Sequence, residues 1–273
     1  MQLTSERIAS MDYNQLIGVL RETNRPPGGN RSISRIAQEA FLTRDSHVLE
    51  IGTSTGITAV ELARLVGCRI TAIDVIEESL QEARRRAEAA GIAHLITFEC
   101  RNAADTGYPP GSFDLVFCGN VTSLIPDRER ALAEYTRVLK PGGFIGAVPM
   151  YYVDEPSDEL VAAVSSAIQV DIKPLYRDFW VDFFVGPERH LFSEKDFRFD
   201  RQSDDAVDAF VDDILRRPHL DELDAEAREL LEKRYREYMH LFKVNLSHMG
   251  FTLLLLRKEA VDVEPELFTS ARV

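Results

Sequence analysis

Apolar and polar positions follow two alternating patterns through the middle of the chain. Short apolar runs are separated by longer segments in which apolar residues recur every three or four positions. The first pattern is typical of buried strands and the second of amphipathic helices. Five strands are predicted, at 47–51, 69–75, 96–101, 113–118 and 144–149. The helices predicted between them span 58–66, 78–90 and 128–139. This alternation predicts a parallel sheet covered by helices.

The two flanks of this region have a different texture. The N-terminal flank is helical in pattern, with a break at 25–32 where paired prolines and paired glycines occur. The C-terminal flank carries predicted helices at about 157–170, 204–216 and 224–246. The apolar run at 251–257 predicts a late strand, which we expect to return to the edge of the same sheet. We therefore expect one integrated domain with four parts: an N-terminal helical lid (1–45), a core (46–150), a helical and aromatic cap (151–250), and a final strand with a tail (251–273).

Composition and charge narrow the class of partner. The 273 residues are 45% hydrophobic and 28% charged, which excludes a disordered chain, a collagen-like repeat and a disulfide scaffold. The net charge of −13 repels phosphate backbones and anionic lipid. We therefore expect no nucleic-acid and no membrane partner. A small molecule is the expected partner, and a homodimer stays open.

Cysteine usage and the N-terminus favour a cytoplasmic protein. Cys68, Cys100 and Cys118 lack metal-type spacing and lie in or beside predicted strands, so we expect reduced and buried packing residues. The N-terminus shows no continuous apolar stretch of the secretory type, and the late run at 251–256 is too short to span a bilayer. The cytoplasm is the expected compartment.

The turn after the first predicted strand carries the strongest functional signal. It lies in the segment VLEIGTSTGITAVELA, residues 48–63. Gly52 and Gly56 allow bends and close backbone approach, and the helix that follows opens with free N–H groups. The next strand ends at Asp74, whose carboxylate can accept hydrogen bonds from a ribose diol. A glycine turn followed by an acidic strand end predicts a cofactor that contains a nucleoside.

The spacing within this turn argues against a dinucleotide. A pyrophosphate site favours G-x-G-x-x-G, but Ser54 stands at the middle position and the pattern from Glu50 reads E-x-G-x-x-x-G. With this motif the chain resembles the class I S-adenosylmethionine-dependent methyltransferases, whose first motif is typically a strand, an acidic residue and a glycine-rich turn. The resemblance continues in order through Asp74, the pair Asn102 and Ala103, and the segment VLKPGGF at 138–144. A nicotinamide oxidoreductase is the less favoured alternative.

The resemblance implies both a fold and a cofactor. The expected fold is a Rossmann-like α/β class I methyltransferase fold, with a mostly parallel seven-stranded sheet and an antiparallel last strand. The expected cofactor is S-adenosyl-L-methionine, and no metal is expected. Asp74 would bind the ribose, and Asn102 with Ala103 would lie beside the adenine. The residues expected to bind the cofactor are Glu50, Gly52, Thr53, Ser54, Gly56, Asp74, Val75, Asn102, Ala103 and Gly119.

Two residues depart from the family pattern. Ser54 stands where the family usually has glycine, which is tolerated if its φ is negative and its hydroxyl finds a partner. Asn102 replaces the usual aspartate; its carbonyl can accept from the adenine amino group and its amide can donate to a ring nitrogen. These departures bear on cofactor affinity more than on cofactor identity.

The expected reaction is transfer of a methyl group to oxygen, nitrogen or carbon of a small, partly apolar metabolite. Such a displacement mainly requires alignment, and a base is needed only if the acceptor is protonated. The catalytic candidates are Tyr151 and Tyr152, which follow the fifth strand, and His190, which can act as a general base. Core packing is the alternative for the tyrosines, and a surface position is the alternative for the histidine. A fold member without methyl transfer, such as a cyclisation catalyst or a cofactor sensor, also stays open.

Two further segments bear on the acceptor. Eight aromatic residues lie within 176–199, which predicts a small cap core with two or three side chains that reach the acceptor. The break at 25–32 carries Arg25 and Arg31, which are candidates to pair with the methionine carboxylate or with an acid on the substrate.

Overall fold

The computed structural model describes residues 4–259, and the strands within that range form one mixed sheet. In spatial order the strands are β3, β2, β1, β4, β5, β8 and β6, and β7 also pairs with β8. Strands β1 to β5 pair in parallel, whereas β8 is antiparallel to β5. The expected Rossmann-like sheet with parallel core strands and an antiparallel last strand is confirmed, but among the described residues it has eight strands and not the expected seven. The strand bounds are β1 His47–Ile51, β2 Arg69–Asp74, β3 Ile96–Cys100, β4 Phe113–Cys118, β5 Leu139–Ala147, β6 Met150–Tyr152, β7 Arg189–Arg198 and β8 Met249–Lys258.

The helices cover both faces of the sheet and fill the two flanks. Each helix predicted from the core and the C-terminal flank is present within about two residues of its expected bounds. The pattern did not predict α8, the ten-residue strand β7 or the three-residue strand β6. The helix bounds are α1 Ser5–Ser10, α2 Tyr13–Leu20, α3 Asn30–Glu39, α4 Ile57–Val66, α5 Glu77–Ala89, α6 Arg128–Val138, α7 Asp158–Ile168, α8 Arg177–Phe184, α9 Asp204–Leu215 and α10 Ala225–Ser247.

The central strands are buried on both faces, which explains why they read as continuous apolar runs. In β1, Val48 packs in the cluster that contains Ile36 of α3 and Val60 of α4. The next residue, Leu49, packs in the cluster that contains Leu132 of α6. Successive side chains of a strand point to opposite faces, so a sheet with helices on both sides needs apolar residues at every position.

A third apolar cluster joins the two flanks of the chain. Ile8 of α1 and Leu16 of α2 pack with Val211 of α9 and Leu231 of α10. The Arg217 guanidinium, in the loop after α9, donates to the backbone oxygen of Leu20 at 2.8 Å. The predicted lid and the predicted cap therefore pack against each other.

The structure tests the expectation that the three cysteines are buried and the expectation that no segment spans a bilayer. Cys68 and Cys118 are buried, but Cys100 is exposed, so the expectation of three buried cysteines is wrong for that residue. Cys100 ends β3, the outermost of the parallel strands, where one edge has no neighbouring strand among the described residues. None of the helices in residues 4–259 combines the length and the apolar character needed to cross a bilayer.

Candidate active site

A cavity of about 880 Å³ lies where the parallel strands end. Its walls come from the turn after β1, the end of β2, the loops after β3, β4 and β5, the segment before α3, and one face of α10. The volume is typical of small-molecule sites, and the carboxyl edge of a parallel sheet is where such sites form. Among the expected cofactor residues, those in the cavity wall are Glu50, Gly52, Ser54, Asp74, Val75, Asn102, Ala103 and Gly119.

The turn after β1 is held tightly by its neighbours. Gly52 has a φ of +68°, and a Cβ added there would lie 2.5 Å from Cγ2 of Val121. Gly56 has a φ of +78°, and its added Cβ would lie 2.6 Å from Cβ of Ala83. A side chain at either position would be strained and would collide. Gly52 leaves space at the cavity wall, whereas Gly56 sets the packing of α4 on α5 and does not line the cavity.

Ser54 adopts a conformation that the sequence did not predict. Its φ is +49°, so the expectation of a negative φ is wrong. The backbone N–H of Ser54 donates to Oδ2 of Asp74 at 2.8 Å, and its hydroxyl accepts from Nδ2 of Asn24 at 3.4 Å. The left-handed conformation costs a non-glycine residue about 1 kcal/mol. The bond to Asp74 compensates for this strain and ties the turn to β2.

Asp74 presents a fixed carboxylate to the cavity. Its Oδ1 accepts from the backbone N–H of Ile76 at 3.0 Å, and its Oδ2 accepts from Ser54. Burial raises the pKa of this carboxyl group, and the backbone hydrogen bonds act in the opposite direction. A carboxylate offers about four acceptor positions, so two remain after these bonds. The arrangement fits a ribose diol, which needs two acceptors on one rigid group.

Glu50 lies at the inner end of the cavity and is held by Thr53. The Thr53 hydroxyl donates to Oε2 of Glu50 at 2.7 Å. Burial raises the pKa of Glu50 to about 7. Thr53 does not line the cavity, so the structure gives it a positioning contact and leaves Glu50 to face a ligand.

The loop after β3 forms a shallow edge of the cavity. Oδ1 of Asn102 accepts from the backbone N–H of Ala104 at 2.9 Å, and its amide nitrogen finds no acceptor within residues 4–259. Val75 is 68% exposed, an unusual state for valine. The guanidinium of Arg101, which also lines the cavity, lies 4.8 Å from the ring centre of Tyr108. An apolar surface beside a free amide donor fits a purine.

The opposite end of the cavity is built on β6 and α10. The Tyr152 hydroxyl donates to Oδ1 of Asn245 at 2.7 Å, and both residues line the cavity. Burial raises the pKa of Tyr152, so its phenol stays protonated at neutral pH. Oδ1 of Asn120, after β4, accepts from the backbone N–H of Met150 at 2.9 Å. These groups can orient an acceptor by hydrogen bonding.

Two of the three catalytic candidates do not reach this cavity. Tyr151 follows the alternation of β6 to the other face of the sheet, where it packs in the cluster that contains Trp180 and Leu254. His190 lies in β7, is exposed and pairs with Arg257 of β8. Arg257 also pairs with Phe144 of β5, which lies in the same row of the sheet as Val48 near the start of β1, so His190 lies toward the opposite edge of the sheet from the cavity. Its expected role as general base does not fit this position.

The segment that breaks the N-terminal helices covers the cavity. Asn24, Arg25 and Pro26 line it, and Cβ of Pro26 lies 3.3 Å from a Cβ added at Gly119. Arg31 does not line the cavity. This placement suits the lid that the sequence suggested, with Arg25 as the arginine that faces a ligand.

A buried carboxyl group in the cavity wall escaped the sequence analysis. Glu22 is 7% exposed and accepts from the hydroxyl of Tyr235 at 2.8 Å and from that of Tyr13 at 3.5 Å. Burial raises the pKa of Glu22. No sequence pattern signals the group, because Tyr235 is 213 residues away and the contact exists only after α10 packs on α2.

Comparison with known proteins bears on the same region. Residues 49–147 match a family model described as a methyltransferase domain, which spans the turn after β1 through β5. The chain is similar to a sarcosine/dimethylglycine N-methyltransferase of Halorhodospira halochloris, at 34% identity over 51% of this chain and 52% of that protein. The chain spans about half the length of this and other curated relatives that it matches.

Solved structures extend the likeness over most of the chain. The structure of the MccD protein has a TM-score of 0.71 at 25% identity and covers 86% of this chain and 100% of that one. The (4+2)-cyclase SpnF has a TM-score of 0.70 at 18% identity and covers 94% of this chain and 98% of that one. The second likeness shows the fold alone.

Proposed function

The chain belongs to the class I S-adenosylmethionine-dependent methyltransferase family, and on this premise we propose that it transfers a methyl group from S-adenosylmethionine to a small, partly apolar acceptor. One observation carries the proposal: Asp74 is fixed by the glycine turn itself, through the backbone of Ser54, with its free acceptor positions in the cavity. The same hydrogen bond therefore shapes the turn and presents a ribose-binding group.

Three parts of the cavity wall would bind the ribose, the adenine and the methionine end of the cofactor. Asp74 would bind the ribose, and Val75, Ala103 and the amide of Asn102 would hold the adenine. The methionine end would lie over Gly52, near Glu50, with its carboxylate toward Arg25. Glu50 is the acidic group best placed to attract the positive charge at the methionine end of the cofactor. It is buried and has no arginine or lysine partner within residues 4–259.

When bound, S-adenosylmethionine supplies a methyl group on a positively charged sulfur, and this sulfur keeps the electron pair of the broken bond. The protein's task is then to align the acceptor atom with the methyl carbon and the sulfur and to exclude water. Tyr152, Asn245 and Asn120 would orient the acceptor, and the segment around Pro26 would cover the site. A protonated Tyr152 donates its O–H to Asn245, so in this scheme its oxygen would accept a hydrogen bond from the methyl acceptor and would not act as a base.

Calorimetry provides the first test of the proposal. S-adenosylmethionine and S-adenosylhomocysteine are expected to bind with micromolar or tighter dissociation constants, and NAD is expected not to bind. Binding of NAD alone would overturn the cofactor assignment. The second test is a panel of amines, phenols and carboxylic acids assayed for S-adenosylhomocysteine release, with Asp74→Asn as the control variant that binds the cofactor more weakly.

The turnover panel also separates methyl transfer from the other activities that this fold supports. Because the likeness to SpnF concerns the fold alone, it does not favour cyclisation. Cofactor binding without S-adenosylhomocysteine release from any acceptor in the panel would count against methyl transfer and for a cyclisation catalyst or a cofactor sensor.

A further inference from the structure

The cavity wall also contains a cationic side chain from the start of α6. Arg128 is the first residue of α6 and lines the cavity together with Ile125 and Pro126 from the loop after β4. Its guanidinium carbon lies 5.5 Å from the ring centre of Trp180 and 5.8 Å from that of Phe179. Stacking against two rings of α8 restricts the guanidinium and leaves its N–H donors free to bond in their own plane.

Arg128 lacks the partner that most arginines in this chain possess. No carboxylate among residues 4–259 lies within ion-pair distance of it, and it donates no side-chain hydrogen bond within that range. By contrast, Arg130 on the same helix pairs with Asp105 at 3.3 Å. A half-buried, stacked and unpaired guanidinium in a cavity wall is costly unless an anion joins it.

An independent observation points to the same place. The indole Nε1 of Trp180 is buried and has no hydrogen-bond partner among the described residues, although Trp180 is only 1% exposed and lines the cavity. Buried N–H donors are nearly always paired, so this indole N–H lacks an acceptor atom among the described residues. The Arg128 guanidinium lies over the Trp180 ring, so the unpaired donor and the cation belong to the same part of the wall.

The remaining charges around this wall support an anionic ligand. Lys173 also lines the cavity and pairs with no carboxylate within residues 4–259. Asp127 and Glu129 flank Arg128 in the sequence, and Asp171 lies two residues before Lys173; all three are exposed, and none forms an ion pair with Arg128 or Lys173 within residues 4–259. The other acids that line the cavity have partners elsewhere: Glu50 and Asp74 belong to the cofactor turn, Glu22 accepts from tyrosine hydroxyls, and Asp12 caps α2.

We propose that Arg128, with the indole N–H of Trp180 and with Lys173 at the outer edge, binds an anionic group of the methyl acceptor, either a carboxylate or a phosphate. This inference rests on the proposed function, since it identifies the class of acceptor. Because the cation lies against aromatic rings, the inferred acceptor is a molecule with an apolar body and one anionic end. The net charge of −13 does not conflict with it, because the recognition is local.

The chain offers a built-in reporter for this site. Trp180 is its one tryptophan, so the intrinsic indole fluorescence comes from the proposed site alone. We would titrate the full-length protein, with and without saturating S-adenosylhomocysteine, with phenylacetate, phenyl phosphate and the neutral analogue phenylacetamide. At least one of the two anions should bind at least tenfold more tightly than the amide. The anion that binds more tightly distinguishes a carboxylate site from a phosphate site.

Two variants make the test specific. In Arg128→Met the preferred anion should bind within threefold of the amide, while the amide affinity stays unchanged. Arg130→Met, which removes an arginine from the same helix outside the cavity, should keep the full preference. Equal affinities of all three probes in the unmodified protein, including no response to any, would overturn the inference. So would a preference that survives in Arg128→Met or disappears in Arg130→Met.

The cofactor measurement separates this inference from the proposed function. S-adenosylhomocysteine should bind Arg128→Met as tightly as it binds the unmodified protein. A large loss of that affinity would place the methionine carboxylate on Arg128 and overturn the acceptor site. If S-adenosylhomocysteine does not bind the unmodified protein, the proposed function fails, whereas the anion preference is still decided by the titrations without it.

Discussion

Replacement of Asp74 by asparagine tests the link between the glycine turn and the ribose. The carboxylate already accepts from Ser54 at 2.8 Å and from Ile76 at 3.0 Å, so its remaining positions face the cavity. Each hydrogen bond from a ribose hydroxyl to a charged carboxylate is worth about 1.5 kcal/mol or more. Asparagine keeps one acceptor oxygen but loses the charge and the other oxygen, which corresponds to about 2 kcal/mol, or a roughly 30-fold weaker dissociation constant.

Titration calorimetry of S-adenosylhomocysteine measures this effect, and it is done at pH 8 because burial raises the pKa of Asp74. The matched control is Asp105→Asn, which removes an acid whose side chain is 71% exposed and does not line the cavity. Urea unfolding of Asp74→Asn shows whether the variant is folded. A folded Asp74→Asn protein whose dissociation constant stays within threefold of the unmodified value would refute the placement of the ribose.

Three further outcomes follow from the structure. Burial raises the pKa of Glu50 to about 7, above the value of about 4.3 in an unfolded chain, so this group favours folding at low pH and loses that contribution as the pH rises through 7. Urea unfolding gives the free energy of unfolding of Glu50→Gln minus that of the unmodified protein, and this difference should rise by about 3 kcal/mol between pH 4 and pH 8. The exposed control Glu155→Gln should show no such rise. Tyr152→Phe leaves Oδ1 of Asn245 without its donor and should lower the free energy of unfolding by about 1–3 kcal/mol; an unchanged urea midpoint would contradict the buried bond. His190→Ala should leave S-adenosylhomocysteine affinity and methyl transfer within twofold, because the side chain is exposed near the opposite edge of the sheet; a tenfold loss of turnover would restore it as a candidate.

The local elements of the core follow from the sequence because their signals are local. The strand at 47–51 and the strand at 113–118 have the same bounds in the pattern and in the structure. Both are buried on two faces, so most positions are apolar and the ends are sharp; the polar positions are His47, Glu50 and Asp114. The glycine turn is equally local: Gly52 and Gly56 stand where a side chain would collide with Val121 and Ala83.

Elements that depend on distant partners were missed or misjudged. β7 has the sequence RHLFSEKDFR, which shows no regular alternation of apolar and polar residues, and its partner strand β8 lies about 60 residues later. Ser54 has a positive φ because Asp74, 20 residues away, accepts its N–H. A sequence pattern contains neither contact.

The sequence by itself determined the sheet, the glycine turn and the class of cofactor, since these rest on periodicity and on residues close together in the chain. The tertiary structure decided which side chains meet in the cavity. In the structure His190 lies away from the cavity, Tyr152 lines the cavity and Tyr151 does not. Glu22 accepts a hydrogen bond from Tyr235. The tertiary structure also left Arg128 without a carboxylate partner among residues 4–259, beside the ring of Trp180. The proposed acceptor site depends on contacts between the loop after β4, α8 and α10, and such contacts are set by packing over long sequence distances that no local pattern encodes.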